Sequence, residues 1–365
     1  MKNSESITVF QLTLLGMTAV GFNNHVIVIP PLIQAAGRDS WMSVLISFGF
    51  MLLWGFLFVY IHKKTRQQHL FLWLQQHIGK FFSIVIVISI CLYVVILAAS
   101  TLRETIIWAN IVFLPATPVW VLAFLFILLC VLTAASGLRT VSIINVFLLF
   151  FIIILGFFVA TANLQFKDYS LILPLLEKGY SPVFKASIYA ASGMIELIMF
   201  LFLQQKIDAP IRYRHFLVNA LLLTGLTIGP LIGAIAEFGP VEASRQRYPA
   251  YEEWGLVQLG RFVEHVDYLS IYQWMSGAFI RVSLFLFIML EILNLKDKRK
   301  VWWILLPVFA VLMGLTLFPV SDMQSYEFLK SILLPSLLLF VVGLSVLLGG
   351  IVIMTRNKGG RQPNG

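Results

Sequence analysis

The sequence contains little charge. Only 12% of its 365 residues are Asp, Glu, Lys or Arg, whereas 59% are hydrophobic. A soluble domain carries about 25% charged residues, so a water-soluble globule is excluded. Several stretches, among them 6–37, 140–166 and 331–355, contain no Asp, Glu, Lys or Arg and reach the roughly 20 residues that cross a bilayer as a helix. The sequence therefore predicts an all-α polytopic membrane protein.

Cysteine and catalytic motifs are also scarce. The two cysteines, Cys91 and Cys130, lie in apolar segments and are expected to be buried hydrophobes, not a disulfide or a metal pair. The sequence has no phosphate-binding GxxxxGK[ST] loop, no GxSxG and no HExxH motif. These absences argue against an enzyme, ATP-driven transport, and a bound metal or cofactor. The net charge of +9 needs no nucleic-acid partner, since cytoplasmic loops of membrane proteins collect Lys and Arg.

Apolar runs between charged or Gly- and Pro-rich breaks predict ten transmembrane helices. Their approximate bounds are 7–33, 41–61, 81–110, 119–136, 141–162, 183–204, 215–236, 269–294, 302–318 and 331–354. Ten spans place both termini on one side of the membrane. The connections on that side hold most of the Lys and Arg, so the positive-inside rule predicts that both termini are cytoplasmic. The predicted organisation is one transmembrane domain over 1–365, with a cytoplasmic tail at 355–365.

The longest connection in this scheme is an outer loop at 237–268. It is rich in Glu, Arg, Tyr and Pro and too long to be a bare turn. Two interpretations are open: a functional outer loop, or a solvated spacer with a short surface helix.

The first and sixth spans are interrupted by polar residues and glycine near mid-bilayer. These residues are Gly21, Asn23, Asn24 and His25 in the first span, and Ser192, Gly193 and Glu196 in the sixth. The first member of each set of five is thus broken, as in a 5+5 inverted repeat of the LeuT-like type, with repeat one at about 7–162 and repeat two at about 183–354. Unwound helices there would free backbone N–H and C=O groups for a polar ligand. The alternative is that the glycines only allow close helix packing.

Two ionisable residues lie at matching depth inside predicted spans. Glu196 is about 13 residues from the outer end of the sixth span, and Arg281 is about 12 residues from that of the eighth. A charge at mid-bilayer costs at least about 2.5–3.5 kcal/mol, so each needs a partner or a function. We expect both to face one cavity, as an ion pair or as separate contacts to a ligand's amine and carboxylate. The alternative is a structural ion pair that locks two helices.

Four polar or aromatic residues in the first and third predicted spans have two or more possible roles or a predicted partner. His25 is either a group that titrates near neutral pH or a packed polar side chain. Tyr93, in the middle of the third span, either offers a hydroxyl to the cavity or is a core aromatic. Arg103 and Glu104, near the outer end of the same span, are expected to form an interfacial pair.

The ten spans and several local motifs resemble the endospore germination permease family, the B-subunits of nutrient germinant receptors, within the amino acid/polyamine/organocation superfamily. The matching residues are Ile7, Thr8, Gln11, Gly21 and Pro30, then Trp41, Arg103, the run Leu114–Pro118, and Glu196. The sequence departs from the family's pattern in having Asn23 and Asn24 where small residues are usual. It also has Leu201-Phe202-Leu203 where a Pro usually follows the sixth-span Glu.

The resemblance implies a receptor subunit in the spore inner membrane that recognises an amino acid or similar small nutrient and triggers germination. It also implies two partners, a larger membrane A-subunit and a C-subunit lipoprotein. Two other functions stay open. One is an amino-acid secondary transporter, which needs the same pocket. The other is a membrane scaffold, against which Glu196 and Arg281 argue.

Overall fold

The computed structural model describes residues 6–258, 266–295 and 297–358. Every regular element within these ranges is a helix, and a single pairing of extended backbone joins Ile7 to Ile207. The helices are α1 (Val9–Phe22), α2 (Ile29–Ala36), α3 (Ser40–Thr65), α4 (Leu70–Ile78), α5 (Lys80–Val112), α6 (Val119–Ala135), α7 (Leu138–Ala162), α8 (Tyr180–Met194), α9 (Met199–Phe202), α10 (Tyr213–Arg245), α11 (Pro249–Gly255), α12 (Leu269–Ile292), α13 (Lys298–Thr316), α14 (Asp322–Phe328) and α15 (Leu334–Lys358).

Eight helical segments in the described residues are long and apolar enough to cross a membrane. They are Ile29–Thr65, Lys80–Val112, Leu138–Phe166, Tyr180–Phe202, Tyr213–Arg245, Leu269–Ile292, Lys298–Thr316 and Asp322–Met354. The helix α6 is apolar but has only 17 residues, and the first predicted span falls on α1, α2 and the turn between them. The predicted all-α, multi-pass class is confirmed, whereas the ten-span, 5+5 arrangement stays a prediction.

The two predicted interruptions are present but the chain does not unwind there. Asn23–Ile27 form a π-helical turn between α1 and α2, and Ile195–Ile198 form a 3₁₀ turn between α8 and α9. The prediction of unwound backbone is therefore wrong. A π turn adds a residue and a 3₁₀ turn tightens the coil, so both change the direction of side chains while the backbone stays helical and hydrogen-bonded. The Val28 N–H, for example, donates to the Asn23 carbonyl at 3.0 Å.

The predicted outer loop is largely folded. The helix α10 continues to Arg245 across a kink at Gly239, whose φ of 77° suits glycine and which Pro240 follows. After it, α11 buries Trp254 against Val159 and Val257. The loop is therefore not a solvated spacer, because the surface helix packs into the bundle. Residues 259–265 of this loop lie outside the described residues, as do 359–365 of the predicted tail.

The helix α12 lies in the middle of the bundle, between α5 and α1. Of its most apolar stretch, 83% of residues are buried. At the end of the bundle where α1 begins, the Ile7 N–H donates to the Lys206 carbonyl at 2.9 Å and the Asp208 N–H donates to the Ile7 carbonyl at 3.0 Å. This backbone pairing holds the start of α1 beside the segment that follows α9. The π turn and the 3₁₀ turn are thereby brought together at mid-bundle.

Candidate functional site

A buried ion pair joins α12 to the 3₁₀ turn of the sixth predicted span. The guanidinium of Arg281 donates to both carboxylate oxygens of Glu196, with Nη1 to Oε2 at 2.5 Å and Nη2 to Oε1 at 2.8 Å. The side chains are 1% and 2% exposed, respectively. The two residues that the sequence placed at matching depth are therefore in direct contact. Of the two arrangements expected for them, the structure has the ion pair. Such a bidentate pair is the strongest geometry for these two groups.

Three further groups complete the hydrogen bonds of this pair. Asn23 Nδ2 donates to Glu196 Oε1 at 2.9 Å. Arg281 donates through Nε to the Thr101 hydroxyl at 2.8 Å and through Nη1 to the Ala19 carbonyl at 2.5 Å. The π turn thus supplies an amide to the carboxylate, while α1 and α5 supply acceptors to the guanidinium. The roles of Thr101 and Ala19 could not be predicted from the sequence, since a threonine and a backbone carbonyl in apolar helices carry no distinguishing signal.

Asn24 follows Asn23 in the π turn and packs on Gly193. The Asn24 side chain is 0% exposed, and neither its amide nitrogen nor its amide oxygen has a hydrogen-bond partner among the described residues. A Cβ added to Gly193 would lie 1.8 Å from Asn24 Oδ1. Gly193 is therefore required for this contact between the first and sixth predicted spans. A buried amide without a partner costs free energy, so Asn24 is suited to a ligand's polar group.

Tyr93 and Ser192 are also near this centre. Tyr93 stacks on Phe340 with ring centroids 5.1 Å apart and lies within electrostatic range of both Glu196 and Arg281. Its hydroxyl is buried and has no partner within the described part of the chain. Ser192 donates instead to the Tyr189 carbonyl at 2.7 Å, so its hydroxyl is already bound within α8.

Gly21 and His25 face away from the ion pair, toward α10. A Cβ on Gly21 would meet the Leu226 side chain at 3.2 Å, and His25 Nδ1 lies 3.3 Å from the Leu226 carbonyl. Gly21 therefore allows close packing of α1 on α10, and His25 is a polar side chain packed against α10. Their predicted contact with a ligand shared with Glu196 has no geometric support.

Aromatic side chains lie between the ion pair and the predicted outer loop. Trp108 and Trp274 stack with centroids 4.0 Å apart and lie seven residues outward of Thr101 and Arg281 along α5 and α12, a rise of about 10 Å. Tyr248 packs edge-on to Trp274, and Tyr251 packs edge-on to Trp108. The folded outer loop thus places two rings on the stack. A ligand that approached Arg281 along α5 and α12 from this end of the bundle would meet these rings first.

Arg247, between α10 and α11, fastens the outer loop to the bundle. Its Nη2 contacts Glu104 Oε2 on α5 at 2.5 Å, and its Nε contacts Asp322 Oδ2 on α14 at 3.1 Å. Its guanidinium also lies over the rings of Tyr248 and Tyr326. Burial alone would lower the pKa of Arg247, but its interactions with Glu104, Tyr248 and Asp322 raise the pKa by more than burial lowers it. The pKa is therefore raised overall, and the guanidinium stays charged.

Arg103 and Glu104 do not pair with each other as predicted, because each binds a different partner. Glu104 binds Arg247, whereas Arg103 donates to the Phe318 and Val320 carbonyls at 2.8 and 2.6 Å and to the Ser325 hydroxyl at 3.0 Å. Neighbours in a helix point about 100° apart, so they reach different surroundings.

Substitution of Arg247 by Met is expected to loosen the outer loop. It leaves the Glu104 carboxylate buried without a counter-charge, which we expect to destabilise the protein by about 2–4 kcal/mol. Thermal unfolding of the purified protein measures this. Arg245→Met is the matched control, because Arg245 is exposed and its ion pair with Glu242, at 3.8 Å within the same helix, is exposed as well. Equal stability of the two variants would contradict the role of Arg247.

Comparison with known proteins identifies the family of this chain. A family model described as spore germination protein matches residues 5–325. The chain is 38% identical to spore germination protein XB of Bacillus anthracis, with 96% of this chain and 99% of that protein covered. It is 26% identical to the putative spore germination protein YfkT of Bacillus subtilis, over 87% and 91% of the two chains. It is 23% identical to spore germination protein A2 of Bacillus subtilis, over 85% and 88%. The chain therefore belongs to the spore germination permease family and is a multi-pass membrane protein of spore germination.

Proposed function

We propose that this chain is the B-subunit of a spore nutrient germinant receptor, which binds an amino acid or similar small nutrient at mid-membrane to trigger germination. In this proposal it spans the spore inner membrane ten times as a 5+5 repeat, with both termini in the cytoplasm. It works with an A-subunit and a C-subunit lipoprotein. The observation that carries the proposal is the buried Glu196–Arg281 pair, held against the π turn that contains Asn23 and Asn24.

The ion pair suggests how a ligand would act. A zwitterionic amino acid carries one ammonium and one carboxylate, the same two charges as the internal pair. Its ammonium would replace Arg281 at Glu196, and its carboxylate would replace Glu196 at Arg281, so that neither buried charge is left alone. The exchange moves the 3₁₀ turn away from α12. A ligand that binds only the separated state shifts the protein toward it, which is the requirement for a receptor signal.

Two buried polar groups support a ligand at this place. The amide of Asn24 packs on Gly193, three residues before Glu196, and Tyr93 lies within electrostatic range of both charges of the pair. Neither polar group binds another group within the described residues. Both would hydrogen-bond to polar atoms of a bound nutrient. Because such groups cost free energy when they are buried without partners, their satisfaction favours the bound state.

Secondary transport of an amino acid is the second candidate function. It is supported by the helical irregularities at matching positions of the first and sixth predicted spans, a feature of transporters that bind substrate at mid-membrane. Transport requires the site to open to both sides in turn, whereas a receptor requires only one change of state. Uptake of radiolabelled amino acids into proteoliposomes that hold this chain alone separates the two functions.

A germination assay tests the receptor proposal. Spores that lack the gene, and the same spores complemented with it, are exposed to single amino acids, sugars and nucleosides, and the fall in optical density is followed. We expect the response to one class of nutrient to depend on the gene, without gene-dependent uptake in proteoliposomes. An identical response of both strains to every nutrient would overturn the proposal, and gene-dependent uptake would favour the transporter.

A further inference from the structure

Two buried carboxyl groups meet one lysine where α11 docks on the bundle, away from the Glu196–Arg281 pair. Glu237 is in α10, Glu253 is in α11, and Lys167 follows α7. The Lys167 ammonium is 3.4 Å from Glu237 Oε1, and these side chains are 8% and 0% exposed. Asn163 Nδ2 donates both to Glu237 Oε2 at 3.2 Å and to the Glu253 backbone carbonyl at 2.7 Å. One amide thus connects the two helices.

Glu253 is buried in this place with one carboxyl oxygen that has no donor among the described residues. Its residue is 7% exposed, and Oε1 has no hydrogen-bond partner in the described ranges. A Cβ on Gly233, one turn before Glu237 in α10, would lie 3.0 and 3.2 Å from the two Glu253 oxygens. The carboxyl therefore lies against the face of α10 that carries Glu237. The lack of a side chain at Gly233 makes room for it.

The charges around Glu253 do not balance if both acids are ionised. Among the described residues, Glu237 and Lys167 are the charged groups that act on it. Other nearby elements bring little: the outer end of α7, residues 155–162, has no Asp, Glu, Lys or Arg, and Asp267 accepts from the Tyr251 hydroxyl at 3.2 Å. Within the part of the chain that the structure describes, two buried carboxylates would face one ammonium, leaving one uncompensated negative charge. A single added proton removes it.

We infer that Glu237 and Glu253 form a proton-binding site that holds one proton between them when α11 is docked, so that docking of the outer loop follows the pH on that side of the membrane. The same helix is joined through Tyr248 and Tyr251 to the aromatic layer over the ion pair. The proton therefore favours the covered state of the central site.

The direction of the pH effect follows from Glu253. Burial raises its pKa well above the ordinary value, the negative charge of Glu237 raises it further, and Lys167 opposes them. A carboxyl with a raised pKa in the docked state stabilises docking fully below the ordinary glutamate pKa of about 4.3, and this contribution is lost as the pH rises through the raised value. Within that interval one bound proton changes the docking equilibrium by up to about tenfold per pH unit.

A spin label on α11 tests the inference without any nutrient. The label is attached to Ala250→Cys in the full-length protein with Cys91 and Cys130 replaced by alanine, and spectra are recorded from pH 5 to 9. We expect the mobile fraction to rise with pH, while a control label at the exposed Leu175 position shows no change. Glu253→Gln supplies a neutral group at every pH and should keep the label immobile throughout.

The matched control is Glu252→Gln, because Glu252 is the exposed neighbour of Glu253 on the same helix. This variant should keep the pH response of the parent protein. Glu237→Gln should abolish the response as Glu253→Gln does. A parent protein whose label does not change from pH 5 to 9, or a Glu253→Gln variant that still responds like the parent, would overturn the inference.

Discussion

Glu196→Gln alone is expected to destabilise the protein by about 3–5 kcal/mol, because it leaves the Arg281 guanidinium buried at mid-bundle without its counter-charge. Arg281→Met should do the same to the Glu196 carboxylate, although that group can take up a proton. In either single variant, loss of function and loss of folding coincide. The single variants therefore cannot separate a functional pair from a structural one.

The double variant Glu196→Gln/Arg281→Met does separate them. Removing both charges restores neutrality, and replacing a buried ion pair by neutral groups of similar volume is often neutral or stabilising. We expect thermal stability and membrane abundance near the wild-type values. We also expect the nutrient concentration for half-maximal germination to rise more than about 100-fold, since about 3 kcal/mol of charge-assisted contacts with the ligand is lost. A stable double variant with the wild-type nutrient response would show that the pair is structural.

Gly193→Ala is expected to have the second large effect. Its Cβ would lie 1.8 Å from Asn24 Oδ1 and 3.2 Å from a Val28 methyl group, so Asn24 or the whole π turn must move. Overpacking of this kind costs about 1–3 kcal/mol. Because the displaced residues adjoin Asn23 and Glu196, we expect a rise of about 10-fold or more in the nutrient concentration for half-maximal germination.

Two further variants make this prediction specific. Gly225→Ala is the matched control, because a Cβ at this α10 glycine meets nothing within 4 Å, and its response should stay normal. Gly193→Ala combined with Asn24→Ala removes the clashing amide and should recover the stability, but not the response if the Asn24 amide binds the nutrient. Wild-type response in Gly193→Ala would contradict the placement of the site.

The sequence predicted the depth of the central residues but not the direction of every side chain. Depth follows from counting residues along a helix at 1.5 Å each, which placed Glu196 and Arg281 at the same level. Direction was harder, because in a lipid-facing bundle both the buried and the exposed faces of a helix are apolar. Gly21 and His25 were assigned to the site for their position near mid-span, yet both face α10.

The backbone conformation at the two interruptions could not be predicted from the sequence either. Polar residues and glycine in mid-span indicated that the regular helix fails near Asn23 and Gly193. They did not indicate whether the chain unwinds or changes its helical repeat. The Asn23 amide is satisfied by Glu196 and the backbone remains bonded through a π turn, so the chain keeps its hydrogen bonds without unwinding. The partner that decided this outcome is 173 residues away in the sequence.

The outer loop shows the same limit. Its length and composition indicated that it is more than a turn, but its packing depends on distant residues. Arg247 forms ion pairs with Glu104 and Asp322, and the Trp254 indole N–H donates to the Gln273 side chain at 3.0 Å. None of these partners can be identified from the loop's own residues.

The most direct test of the account is competition for nutrient binding to the purified chain. A radiolabelled amino acid that triggers germination through this gene is bound at equilibrium, and its carboxamide and its deaminated analogue are added as competitors. Exchange with the Glu196–Arg281 pair requires both charges on one ligand, so we predict that each analogue competes at least about 100-fold more weakly than the parent amino acid. Equal competition by an analogue that lacks either charge would contradict the exchange.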